Sequence, residues 1–297
     1  MKLKELTEKV SYIKNPVNIG VIKSNNGVIL IDTGLDDDTG KKILKVLDKA
    51  GMNPVAIINT HSHADHCGGN SYIKKNKGVK VYAPEVEAEI IGNPYFEPFF
   101  LFSGADPIKD LKNKFLMAKP TKVDEIIDRE KEILTVDGVE LRIASLPGHF
   151  INQIGILVDD VLFCADSVFS EKILNKHKIP FHVDINKQKE TLEKLKKIKC
   201  KYYIPAHGEL TDDITNLVDV NMKAINSIEE TLLKLLSSKK TTDELLNGIF
   251  NYLRLKLKTS QQYYLMRTSI MAYLSHLYNH KKIEMKIENN IVYWKRA

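Results

Sequence analysis

The chain has 297 residues, 43% of them hydrophobic and 28% charged, and its formal net charge is +6. This composition favours a soluble globular protein with a large core. No run approaches the roughly 18 consecutive apolar residues of a membrane span, and the N-terminus lacks the apolar stretch of a signal peptide. We therefore expect a cytoplasmic protein with no membrane partner.

Cysteine usage and charge distribution indicate how the chain is organised. Cys67, Cys164 and Cys200 stand far apart and are odd in number, which argues against a disulfide framework. Residues 1–214 hold 31 Lys and Arg against 31 Asp and Glu, whereas residues 215–297 hold 13 against 7. This difference predicts two domains, one over residues 1–214 and a smaller one over residues 215–297.

The first domain begins with strands and then alternates helices and strands. Two apolar runs around Asn25-Asn26-Gly27 predict a hairpin. The stretch TGKKILKVLDKAG has helical apolar spacing and leads into the short strand VAIINT. The stretches KEILTVDGVELRIASLPGH and QIGILVDDVLFCADSVF each predict two strands, CKYYIPAHGE predicts one more, and NKQKETLEKLKKI predicts an amphipathic helix between them. The fold class is therefore α/β.

Side chains that bind metals stand at the ends of four predicted strands. They are His61, His63, Asp65 and His66 in the stretch NTHSHADHCGGN, and His149, Asp166 and His207 after later strands. Loops at one edge of a rigid sheet converge, so these side chains are expected to meet. Seven nitrogen and oxygen ligands suffice for two divalent metal ions that share one carboxylate. Zinc is the first expectation, with iron or manganese as alternatives.

The stretch THSHADH resembles the HxHxDH motif of the metallo-β-lactamase superfamily. DTG at 32–34, PGH, ADS and PAHGE follow the order of that superfamily, and the resemblance covers roughly residues 15–212. It implies an αβ/βα sandwich with the metals at one edge, between the two sheets. It also implies the ligands of each ion: His61, His63 and His149 for the first, Asp65, His66 and His207 for the second, and Asp166 as the bridge.

The ligand set predicts hydrolysis by a hydroxide shared between two metal ions and oriented by Asp65. No glycine-rich phosphate loop or serine-nucleophile motif competes for the chemistry. The leading hypothesis is a hydrolase of a small thioester, ester or lactone, similar in its core motifs to glyoxalase II. The alternatives are an endoribonuclease or phosphodiesterase with the same site, and a persulfide dioxygenase with a single iron. A true β-lactamase fits less well, because Asp166 stands where one main class has cysteine.

Residues 93–120 form an aromatic segment without a clear period. As a lid, it would place Phe96, Phe99, Phe100 and Phe102 as an apolar wall beside the metals. The alternative is a surface insertion that packs its aromatic side chains on its own helix or on a partner subunit.

The last 83 residues, 215–297, predict three helices followed by a hairpin around Asn289-Asn290, which is the order of a winged helix. A similar C-terminal piece follows the catalytic core in the β-lactamase-like protein 2 group, and that resemblance implies single-stranded RNA as an alternative partner. The other interpretation is that the segment packs on the core, shapes the substrate cleft or forms a homodimer.

Four further histidines lie outside the motif. We expect His276 and His280 on the surface, because no carboxylate or cysteine surrounds them in the sequence. His177 and His182 stand either in a substrate loop or on the surface.

Overall fold

The computed structural model describes residues 1–297, and two facing β-sheets form its centre. The first sheet has seven strands, whose spatial order is their order in the chain: β1 (Lys2–Glu5), β2 (Val10–Lys14), β3 (Ile19–Lys23), β4 (Val28–Ile31), β5 (Pro54–Ile58), β6 (Lys80–Pro84) and β7 (Glu125–Ile127). The strands β1 to β4 pair antiparallel, and β4 to β7 pair in parallel. The predicted hairpin is β3–β4, and it is confirmed.

The second sheet has five strands, all between residues 133 and 205. They are β8 (Ile133–Val136), β9 (Val139–Ser145), β10 (Ile154–Val158), β11 (Val161–Ala165) and β12 (Tyr202–Pro205). Their spatial order is β12-β11-β10-β9-β8, and only β11 and β12 pair in parallel. All five strands predicted from these stretches are therefore present.

Seven helices connect the strands of the two sheets. They are α1 (Asp37–Lys49), α2 (Ala64–Cys67), α3 (Asn70–Lys77), α4 (Glu85–Gly92), α5 (Phe96–Leu101), α6 (Glu171–His177) and α7 (Ile185–Lys197). A short 3-10 turn covers Lys109–Leu111. Helix α1 begins at Asp37 because the Asp36 side chain accepts a hydrogen bond from the backbone N–H of Thr39.

The two sheets pack face to face, and helices cover their outer faces. Neighbouring residues of a strand point to opposite faces. Ile29 of β4 therefore faces the second sheet, whereas Leu30 faces outward and packs with Leu47 of α1. On the other side, Leu162 of β11 packs with Leu192 of α7. The order of layers is helix, sheet, sheet, helix, which confirms the αβ/βα sandwich.

The C-terminal segment contains three helices and a small sheet, as its sequence predicts. The elements are α8 (Thr215–Leu235), β13 (Lys240–Thr241), α9 (Thr242–Tyr252), α10 (Ser260–Asn279), β14 (Ile283–Glu288) and β15 (Ile291–Arg296). Strand β15 lies between β13 and β14. The winged-helix assignment itself stays a prediction. None of the helices in the chain combines the length and the apolar character needed to cross a membrane.

Helix α8 joins the C-terminal segment to the rest of the chain by packing. It begins at Thr215, directly after the predicted boundary. Leu232 of α8 belongs to an apolar cluster that also contains Leu192 of α7 and Trp294 of β15. One continuous core therefore runs across residue 214, and the division into two domains stays a prediction.

Candidate metal centre

The seven predicted ligands meet at one edge of the sandwich. Residues 61–66 follow β5, and His149 follows β9. Asp166 comes directly after β11, and His207 comes two residues after β12. Three overlapping groups of their ligand atoms each lie within 4.8 Å of one another. The structure thus brings together all the side chains that the sequence singled out.

The first cluster consists of His61, His63 and His149. His63 Nδ1 lies 3.1 Å from His61 Nε2 and 3.0 Å from His149 Nε2, so three ring nitrogens converge on one point. Burial and the neighbouring histidines hold the pKa of His61 well below its ordinary value and lower the pKa of His63 to about 3. Burial also lowers the pKa of His149. Three neutral imidazoles are suitable ligands for a divalent metal.

The second cluster consists of Asp65, His66 and His207. The Nε2 atom of His207 lies 3.2 Å from Asp65 Oδ2. Burial disfavours charge on His66, but Asp32 and Asp166 outweigh it and hold the pKa of His66 well above its ordinary value. For His207, burial is likewise outweighed by Asp166 and Asp65, and its pKa rises to about 10. The carboxylates of Asp32, Asp65 and Asp166 therefore favour positive charge at this cluster, which is the place where a cation would bind.

Asp166 lies between the two clusters. Its Oδ1 is 3.4 Å from His66 Nε2, and its Oδ2 is 3.4 Å from His207 Nε2 and 3.6 Å from His149 Nε2. The preceding residue, Ala165, has a φ of 51°, which is uncommon for a residue with a side chain. This turn at the end of β11 directs the carboxylate into the space between the histidines, where it is in reach of both clusters.

Asp32 supports the second cluster from behind. Its carboxylate accepts hydrogen bonds from the Thr60 N–H and O–H and lies 2.8 Å from His66 Nδ1. Since a carboxylate only accepts, it keeps a proton on His66 Nδ1, and Nε2 on the side of Asp166 is the nitrogen left to bind a metal. Asp32 has a φ of 62° at the end of β4, so the turn itself aims its side chain at the cluster.

Two buried glutamates beside the first cluster were not predicted. Glu87 accepts hydrogen bonds from the Ser62 N–H and O–H and from the Asn152 N–H, and burial raises its pKa to about 7. Glu97 Oε1 lies 3.8 Å from His63 Nε2, and burial, followed by the charges of Glu87 and Asp65, raises its pKa to about 8. The only signal in the sequence is that Glu97 is the one charged residue in the stretch PYFEPFFLF.

Three aromatic rings that were not expected lie beside the first cluster. Phe150 and Phe181 lie with their ring centroids 4.5 and 5.4 Å from that of His63, and Phe169 lies 5.6 Å from His149. The apolar wall expected from Phe96, Phe99, Phe100 and Phe102 stays a prediction. Phe102 packs on Tyr264 of α10, whereas Phe100 is 50% exposed.

The surface prediction for His276 is wrong. It is buried, and its Nε2 lies 3.2 Å from the carboxylate of Glu229, which also pairs with Lys189 at 2.6 Å. The expectation failed because Glu229 belongs to another helix, α8, and only the packing of α10 on α8 and α7 brings these groups together. His280 is exposed as expected.

The two histidines of residues 171–184 behave differently from each other. His177 is exposed. His182 is buried behind the first cluster, with its ring centroid 6.1 Å from that of His149 and its backbone N–H donating to Ser269 Oγ of α10. The surface interpretation therefore holds for His177 only.

The donor atoms at the site fit divalent metal ions. Two buried atoms that point into it, His66 Nε2 and Asp166 Oδ1, have no hydrogen-bond partner. Buried polar atoms without partners are rare in folded proteins, and coordination of a cation would satisfy these two. Cys67 is not among the donors, because its thiol donates to the Ser62 carbonyl and burial raises its pKa. The residues able to hold metal are therefore imidazoles and carboxylates.

Comparison with known proteins identifies the family. The model of the metallo-beta-lactamase superfamily matches residues 13–207, which include every residue of both clusters. The chain belongs to the metallo-beta-lactamase superfamily. A metallo-beta-lactamase family protein from Thermus thermophilus has the same fold with a TM-score of 0.75 and 19% identity. That likeness covers 99% of this chain and 100% of the other, so it includes the C-terminal segment.

Relatives of the chain carry hydrolase names. It is 28% identical over 149 residues to a hydroxyacylglutathione hydrolase of Shewanella pealeana, which is 49% of this chain and 43% of that protein. It is 27% identical over 220 residues to a probable metallo-hydrolase of Bacillus subtilis, which is 70% of this chain and 92% of the relative. The chain thus spans less than half the length of the first relative and nearly all of the second.

Proposed function

We propose that this protein is a dinuclear, metal-dependent hydrolase, with zinc as the expected metal, that acts on a thioester, an ester or a lactone. The observation that carries the proposal is the position of Asp166, whose two oxygens reach His66 in one direction and His149 and His207 in the other. A carboxylate between two ligand clusters is able to bind a pair of divalent ions in common.

Each cluster would hold one ion, and Asp166 would contact both. When bound, divalent metal ions act as Lewis acids and lower the pKa of water, so that hydrolysis proceeds near neutral pH. The Asp65 side chain is 38% exposed, so its second oxygen can accept a hydrogen bond from the attacking water and orient it. The rings of the buried Phe150 and the half-buried Phe181 exclude bulk water from the side of His63.

The walls of the site favour an acyl substrate with an apolar part. Phe150, Phe169 and Phe181 surround the first cluster and give an apolar surface next to the reacting atoms. Near neutral pH, Glu97 is largely uncharged because its pKa is about 8, so it adds no strong negative field that would repel a carboxylate or thiolate product. The relative named hydroxyacylglutathione hydrolase agrees with a substrate of this class.

A second candidate is a nuclease that uses the same residues. It is favoured by the basic charge of residues 215–297, which hold 13 Lys and Arg against 7 Asp and Glu. Binding to a phosphate backbone weakens steeply as the salt concentration rises, whereas binding of a small acyl substrate hardly responds. A salt titration of the measured activity therefore separates the two candidates.

The proposal is tested by removing the metal, reloading the protein with zinc, manganese or iron, and assaying thioester, lactone, phosphodiester and single-stranded RNA substrates. We expect hydrolysis of a thioester, an ester or a lactone by the zinc form, and loss of at least about 100-fold in Asp166→Ala. His280→Ala, at an exposed position outside both clusters, is the control and should retain full activity. Activity on RNA alone would favour the nuclease. One iron per chain, together with consumption of oxygen during the reaction, would instead support the dioxygenase alternative.

A further inference from the structure

Strand β14 lies at the edge of the C-terminal sheet. Its one neighbour in the sheet is β15, and the register between the two is continuous, without a bulge. Met285 and Ile287 of β14 are 40% and 67% exposed. Natural proteins normally protect an edge strand with proline, a bulge, charged side chains or a covering element, because unpaired N–H and C=O groups are a template for another strand. Strand β14 has no proline and no bulge, and it is exposed from Glu284 to Glu288, where charged and apolar residues alternate.

The backbone groups that face outward can be assigned. The Ala297 N–H donates to the Lys282 carbonyl at 3.1 Å, and these two residues continue the register of β14 with β15. In an antiparallel ladder, paired bonds recur at every second residue. Residues 284, 286 and 288 therefore bond to β15, and the N–H and C=O groups of Ile283, Met285 and Ile287 point away from β15, with Met285 and Ile287 exposed and Ile283 buried.

Residues 282–288 read KIEMKIE. When this stretch lies antiparallel to a second copy of itself, each charged residue stands opposite a residue of the other sign. We propose that β14 pairs antiparallel with β14 of a second copy of this chain, centred on Met285, so that two C-terminal sheets join across a two-fold axis. In this register, Glu284 lies opposite the partner's Lys286. The remaining pairs join Lys282 to the partner's Glu288, Ile283 to the partner's Ile287, and Met285 to the partner's Met285.

Charge selects this register over its neighbours. Two other registers also bring outward-facing backbone groups of the two strands together. In these registers the two-fold axis passes through Glu284 or Lys286 instead of Met285. An axis through Glu284 places that residue opposite itself and Lys282 opposite the partner's Lys286. An axis through Lys286 places two lysines together and Glu284 opposite the partner's Glu288. Like charges directly opposite destabilise a strand pair, whereas opposite charges stabilise it.

The apolar face of the strand agrees with the same pairing. Ile283, Met285 and Ile287 share one face, on which Met285 pairs with the buried Trp294 of β15. The row begins at the buried Ile283 and ends at the exposed Ile287 near the hairpin tip. In the proposed dimer, Ile287 lies beside the partner's Ile283, so each copy covers the exposed tip of the other. The contact is small, and we expect a reversible dimer with a Kd on the order of 1–100 µM.

Two single charge reversals and their mixture test this pairing by sedimentation velocity over a range of protein concentrations. Glu284→Lys places a positive charge opposite the partner's Lys286, and Lys286→Glu places a negative charge opposite the partner's Glu284. Each variant alone should dimerise at least about tenfold more weakly than the wild type. An equimolar mixture of the two restores both attractive pairs, as does the double variant E284K/K286E, and both should dimerise like the wild type.

Controls distinguish the pairing from a loss of folding or a change in net charge. Both reversed side chains are exposed, so the melting temperatures should stay close to the wild-type value. Lys80→Glu changes an exposed charge on β6, far along the chain from β14, and should leave dimerisation unchanged. A wild-type protein that stays monomeric at all concentrations would overturn the proposal. So would single variants that dimerise normally, or a mixture that remains monomeric. The measurement reports association only and is independent of the metal centre.

Discussion

Replacing Asp32 by asparagine should weaken the second metal cluster without disturbing the fold. The Asp32 carboxylate lies 2.8 Å from His66 Nδ1 and accepts from both the N–H and the O–H of Thr60. Asp32→Asn keeps the size of the side chain and the acceptor for the Thr60 N–H. Its amide NH₂ then faces His66 Nδ1, which favours the tautomer with the proton on Nε2, where a metal would have to bind.

The expected effect is a loss of about 10- to 100-fold in metal affinity, because hydrogen-bond partners behind metal ligands contribute that much. This corresponds to about 1.4 to 2.7 kcal/mol of binding free energy. Asparagine tolerates the left-handed backbone, so the φ of 62° at Asp32 adds little strain in the variant. The loss should fall on the cluster that contains His66 and leave the first cluster nearly unchanged.

Competition with a chromophoric chelator measures the affinities of both clusters in one titration. Asp36→Asn is the matched control, since Asp36 caps α1 and does not contact either cluster, and asparagine caps a helix equally well. Two affinities that are both unchanged in Asp32→Asn would refute the role given to Asp32. A loss confined to the cluster of His61, His63 and His149 would show that the two clusters were assigned wrongly.

Three further predictions concern stability. Burial raises the pKa of Glu87 to about 7 from an ordinary 4.5, so its stabilising contribution is present below about pH 4.5 and is lost as the pH rises through 7. The free energy of unfolding of Glu87→Gln should therefore rise relative to that of the wild type by up to about 3 kcal/mol between pH 4.5 and 8, as measured by urea titration. If the free energies of unfolding of the two proteins changed with pH in parallel, this prediction would be wrong. At Gly68, an added Cβ would stand 1.9 Å from the Leu35 carbonyl oxygen. Gly68→Ala should therefore lower the free energy of unfolding by about 3 kcal/mol and lower the melting temperature. A variant that melts at the wild-type temperature would contradict this. Leu232→Ala should lower the free energy of unfolding by about 2 to 5 kcal/mol. The variant should still melt in a single transition, because the cluster around Leu232 contains residues from both sides of residue 214. Separate melting of the C-terminal segment would contradict the shared core.

Strand periodicity and turn residues predicted all five strands of the second sheet but only β3, β4 and β5 of the first. The layers of the fold and the division of the predicted ligands into two sets came from the family resemblance. His61, His63 and His66 lie within one short stretch, so their proximity is local and can be read from spacing. Asp166 and His207 come next to strand ends, where the geometry of a sheet edge makes convergence a general expectation.

The features that the sequence did not reveal depend on contacts between distant elements. Glu97 reaches His63 only because α5 folds over the first cluster, and His276 meets Glu229 only where α10 packs on α8. No local pattern encodes such a contact between helices. The aromatic rings beside the first cluster are an intermediate case, because Phe150 directly follows a ligand in the chain, and that adjacency was a usable signal.

In the proposed mechanism, one pocket holds two metal ions that share Asp166. Elemental analysis of the purified protein after reloading with zinc tests it most directly. Two zinc ions per wild-type chain are predicted, together with at most one in Asp166→Ala, at unchanged secondary structure by circular dichroism. A wild-type protein that binds a single ion at saturation, or an Asp166→Ala variant that retains two, would contradict the claim.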